Sequence, residues 1–125
     1  MANNPVIIIS EASEEDLIHL QQFLPKWDCQ IAPPINEDAT LSWFPPRVEL
    51  IIVYAKKEQG ETSAICEQFR NSPKSSAVPI LLIIGRYEIS QANVVKCMGN
   101  ATFIIAPFDK KELQDKIVEA RRGVE

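Results

Sequence analysis

Residues 48–55 read VELIIVYA. Leu50, Ile51, Ile52 and Val53 form an unbroken apolar run, opened by the carboxylate of Glu49 and closed by the phenol of Tyr54. A short run that is apolar on both faces belongs at the centre of a parallel sheet with helices above and below it. In such sheets ligands and chemistry gather just beyond the carboxyl ends of the strands. The end of this strand is Tyr54, so that is where function is first sought.

The rest of the chain can be read outward from this strand. Val6, Ile7, Ile8 and Ile9 are β-branched and apolar, the composition of a buried strand. Ser13, followed by Glu14, Glu15 and Asp16, makes a near capping box, and Leu17, Leu20 and Leu24 then recur at helical spacing until Pro25 ends the helix. Residues 28–32 form a weaker strand, and Asn36 caps a short helix over 37–44 before Pro45 and Pro46. Beyond the central strand, a polar loop at 56–60 leads into a helix of about ten residues with Ile65 and Phe69 on one face. Residues 71–77 (NSPKSSA) are a loop by composition. Residues 78–84 (VPILLII) are a second two-faced strand, broken by Gly85. A helix over 90–98 ends at Gly99, a good C-cap residue. The last strand covers 102–105, and Asp109 with Glu112 opens a final helix that turns Leu113, Ile117 and Ala120 inward. Five strands alternating with five helices predict one α/β domain over residues 1–125, a three-layer α/β/α sandwich around a five-stranded parallel sheet.

Composition narrows the function classes. A chain of 125 residues, 46% apolar, is long enough to bury a core. No apolar run approaches the ~18 residues of a membrane span, and MANNPVIIIS lacks the basic n-region of a secretory signal. A cytoplasmic location without membrane attachment is therefore the expectation. The net charge of -4 argues against a nucleic-acid binder. Lys110, Lys111, Lys116, Arg121 and Arg122 alternate with Asp109, Glu112, Asp115 and Glu119, as on a solvated helix face. The three cysteines, Cys29, Cys66 and Cys97, are widely spaced and suit neither a disulfide framework nor a zinc site. His19 is the sole histidine and reads as a surface residue.

The last third of the chain resembles a known family. Residues 99–109 (GNATFIIAPFD) with Glu112 and Leu113 resemble the GADDYLTKPFD..EL signature of response-regulator receiver domains. VELIIVYA resembles the DLVLLD strand of that family, VPILLIIG its PIIxLTA strand, and VIIISEA its ILIVDDE opening. The resemblance covers the whole chain and implies a flavodoxin-like receiver topology. The departures fall at the chemistry. Receivers accept a phosphoryl group on an aspartate at the end of the third strand, and the matching residue is Tyr54. The acidic pair that holds magnesium matches Ser10 and Glu11. The Ser/Thr that closes on the phosphoryl group matches Ile84, and the lysine that neutralises it matches Ala106. The aromatic switch residue matches Phe103. Pro107 is kept, which implies a cis Ala106–Pro107 bond.

These substitutions act together. Phosphoryl transfer rests on positioning and on neutralising the transferred group. A phenol with a pKa of about 10 is neutral at physiological pH, forms no acyl phosphate and supplies no charge to magnesium. Magnesium normally binds one or two carboxylates plus phosphate oxygens, so Glu11 alone would hold it weakly. A lysine left without aspartate and phosphate would be an unpaired charge, and Ala106 removes that cost. The expectation is a metal-free, more apolar pocket in which Tyr54 packs over apolar neighbours or serves as a binding handle.

The resemblance and its departures together imply a non-phosphorylatable pseudo-receiver. It would act as a protein–protein interaction module in two-component or phosphorelay signalling, with no enzymatic activity and no cofactor. The implied partners are other signalling proteins or output domains, including a second copy through the fourth helix (90–98), the last strand (102–105) and the last helix (111–122). A different class, a flavodoxin-like binder of a small ligand or cofactor, would use the loops at 10–13, 55–60, 85–88 and 106–108, but no Gly-rich phosphate cradle is present there. A third reading is a receiver modified at another side chain, such as Ser10 or Ser63.

Overall fold

The computed structural model describes residues 5–32, 44–45, 47–54, 59–73, 75–85, 102–106 and 108–122. Its strands are β1 (Val6–Ser10), β2 (Asp28–Ile31), β3 (Val48–Tyr54), β4 (Ile80–Gly85) and β5 (Thr102–Ala106). They form one sheet in the order β2-β1-β3-β4-β5, and every pairing is parallel. Three helices are described: α1 (Glu14–Phe23), α2 (Gln59–Asn71) and α3 (Lys110–Arg122). The predicted helices at 37–44 and 90–98 fall on residues outside the description, except that Phe44 is itself non-helical. The fold is the expected parallel α/β sandwich, with the flavodoxin-like strand order.

Period-2 alternation divides the strands between two cores. Ile8, Ile51, Val53, Ile80, Leu82 and Ile84 point to one face, where Ile65, Cys66 and Phe69 of α2 meet them. Ile7, Ile9, Leu50, Ile52, Leu81, Ile83 and Ile104 point to the other, beneath Leu20 of α1 and Leu113, Ile117 and Ala120 of α3. Leu50 to Val53 are all fully buried, which accounts for an apolar run with no polar alternation. Each such side chain contributes ~1.5–3 kcal/mol of burial free energy. Between Phe44 and Phe69 the ring centroids are 6.2 Å apart with the planes tilted by 55°.

The helix starts follow the capping chemistry read from the sequence. Ser13 Oγ accepts from the Asp16 N–H at 3.1 Å, and Asp109 Oδ1 accepts from the Glu112 N–H at 2.8 Å. Each satisfies one of the N–H groups that a first helical turn leaves without an intrahelical partner.

Several boundaries differ from the sequence reading. Helix α2 begins at Gln59, inside the expected loop, and runs 13 residues. Strand β4 begins at Ile80 because Pro79 has no N–H to give the ladder; its carbonyl still accepts from the Ile51 N–H at 3.0 Å. Gly85 does not break β4 but closes it, paired with Ala106. The loop after α2 also holds a buried residue that composition did not reveal. Ser75 is 1% exposed and donates its hydroxyl to the Phe69 carbonyl, near the end of α2. Its backbone continues the turn, with the Ser75 and Ser76 N–H groups both donating to the Ser72 carbonyl.

Candidate functional site at the carboxyl edge of the sheet

The strand order reverses between β1 and β3. The chain leaves β1 through α1 toward β2, and leaves β3 through α2 toward β4. Right-handed crossovers in opposite directions place α1 and α2 on opposite faces, which opens a crevice at the carboxyl ends of β1 and β3. Ser10 ends β1 and Tyr54 ends β3, with Ser10 in register with Val53 and Tyr54 with Ile83. Ile84 pairs with Ile105 on β5, and Gly85 with Ala106. The carboxyl edge therefore carries all of the described residues singled out in the sequence except Phe103, which lies within β5. Pro107 lies outside the described residues.

These residues do not all share one face. Tyr54 and Ala106 are partly buried against the α1/α3 core, as are Ala12, Leu17 and Phe108. Phe108 meets Phe23 of α1 edge-on, with centroids 6.2 Å apart. Ile84, by contrast, is 1% exposed and belongs to the α2 core. Ala106 thus shares the apolar layer of Tyr54, and Ile84 does not. Ser10 is buried, and alternation along β1 sets it on the side of Ile8. Phe103 alternates with the buried Ile104 and remains 37% exposed.

The chemistry of Tyr54 is set by its surroundings. Partial burial pushes the phenol above its ordinary pKa, and the carboxylate of Asp16 in the first turn of α1 pushes it further in the same direction. A phenol is neutral at physiological pH even without this shift, which extends its neutral range to more alkaline pH. Asp16 reads in the sequence only as a first-turn acid that suits the helix dipole; its proximity to Tyr54 arises when α1 folds back over the sheet. Glu11, which follows Ser10, has φ 66°, in the left-handed region that a non-glycine residue enters at a cost of ~1–2 kcal/mol.

Of the residues matched to the magnesium site and the phosphoacceptor, only Glu11 carries a carboxylate. Ser10 and Tyr54 are neutral, and no group of three or more His, Cys, Asp or Glu side chains among the described residues could hold a metal. Away from this edge, His19 is exposed as expected, Cys29 is half-buried and Cys66 fully buried. Burial pushes the Cys66 thiol up to about 12. No helix of the described residues is long and apolar enough to cross a membrane.

No family model matches the sequence, and no curated protein matches it. Solved structures do. The signal receiver domain of a two-component histidine kinase from Clostridium thermocellum superposes with a TM-score of 0.76 at 13% identity, over 97% of this chain and 99% of that one. The signal receiver domain of an HD domain-containing protein from Pseudomonas fluorescens gives 0.75 at 18% identity, over 98% of both chains. The N-terminal receiver domain of a response regulator from Bacteroides fragilis gives 0.75 at 15% identity, over 95% and 98%. At such identities the likeness establishes the receiver fold over nearly the full length.

Proposed function

We propose that this chain is a pseudo-receiver: a receiver fold used as a protein–protein interaction module in two-component or phosphorelay signalling, without aspartyl phosphorylation. The observation that carries this reading is Tyr54. At the end of the central strand, where the crevice opens and the resemblance matches the phosphoacceptor aspartate, stands a neutral phenol. Ala106 shares its apolar layer, and Ile84 is packed into the opposite core. A phosphoryl group placed there would meet no neutralising cation from these residues, and phosphoryl transfer depends on such neutralisation. The module acts by binding in the cytoplasm. Its partners are signalling proteins or output domains, or a second copy meeting it through residues 90–98, 102–105 and 111–122. Phe103 and Ile105 on β5 and Val118 on α3 are exposed apolar side chains within those segments.

The test is to titrate the isotopically labelled protein with magnesium and beryllofluoride and to follow the amide resonances. The expected result is no saturable shift at Glu11, Tyr54 or their neighbours. A saturable, magnesium-dependent shift centred on those residues would overturn the reading. Sedimentation and pull-down with candidate signalling proteins then separate self-association from binding to another partner.

A further inference from the structure

We draw no further inference here: the strongest candidate, the exposed apolar side chains Phe103 and Ile105 on edge strand β5 with Val118 on α3, carries nothing beyond the contact surface already proposed, because nothing in the structure shows what covers it.

Discussion

The guanidinium carbon of Arg121 lies 5.6 Å from the ring centroid of Trp27, joining the last turn of α3 to the segment that enters β2. The same guanidinium donates to Glu49 Oε1 at 3.4 Å, at the start of β3. One cation thus ties three elements together at the amino edge of the sheet, opposite the candidate site. Both members of the ion pair are exposed by more than 40%, so most of the expected benefit comes from the stacked indole. We predict that Arg121→Ala lowers stability by about 1 kcal/mol, read from urea unfolding. The loss should change little between low and high salt. A strongly salt-dependent loss would instead assign the effect to Glu49.

Tyr54 should make stability fall at alkaline pH. Its folded pKa is raised by burial and by Asp16. The stability it contributes is therefore fully present below its unfolded pKa of about 10 and is lost as pH rises toward the folded value. Tyr54→Phe removes this titration. The unfolding free energy of the parent, from urea titrations, should drop more steeply than that of Tyr54→Phe between about pH 9 and 11, by up to ~1.4 kcal/mol per pH unit. Parallel curves would mean that the phenol is not held in its neutral form.

Restoring single receiver residues should harm the fold without restoring chemistry. Ile84→Thr buries a hydroxyl in the α2 core, where Ile84 is 1% exposed, and should cost about 1–3 kcal/mol. Tyr54→Asp sets a second carboxylate near Asp16 and should also be destabilising at neutral pH. Treatment of either variant with a small-molecule phosphoryl donor should leave the intact mass unchanged. A stable phosphorylated Tyr54→Asp protein would show that the remaining residues suffice for the reaction.

Arg47 enters β3 with φ 65° and an exposed side chain. Glycine reaches this region without the Cβ clash, although it gives up some unfolded-state entropy. Arg47→Gly should therefore be neutral to stabilising, by up to about 1 kcal/mol, in thermal or urea unfolding. Arg47→Val should be clearly destabilising, because a β-branched residue resists this conformation.

Thiol labelling should follow burial. Cys66 is fully buried with its pKa pushed up to about 12, whereas Cys29 is half-buried. Alkylation followed by peptide mapping should modify Cys66 only at urea concentrations that unfold the protein, and Cys29 earlier. Rapid modification of Cys66 in the folded state would indicate that α2 opens locally.

The local signals in this sequence were sufficient for its five strands, for the three helices described and for the two faces of the sheet. Two-sided apolar runs such as Leu50 to Val53 require a sheet covered on both faces, and the caps at Ser13 and Asp109 set where helices begin. The inward residues Leu113, Ile117 and Ala120 follow from helical spacing alone. Of the candidate edge, the apolar run alone gives Tyr54 as a strand end; Ser10 and Ala106, which also end strands, lie one residue beyond the predicted strands 6–9 and 102–105 and are marked by the family resemblance.

Only the tertiary structure decided how the edge is divided. Alternation within β4 puts Ile83 and Ile84 on opposite faces, but which of them shares Tyr54's layer depends on the register between β3 and β4. A shift of one residue would exchange them. The approach of Asp16 to Tyr54, and the meeting of Arg121 with Trp27 and Glu49, likewise join segments that neither capping nor periodicity relates. Sequence pattern records which face of an element is apolar. Long-range packing settles which charge or ring from another element comes to lie against it.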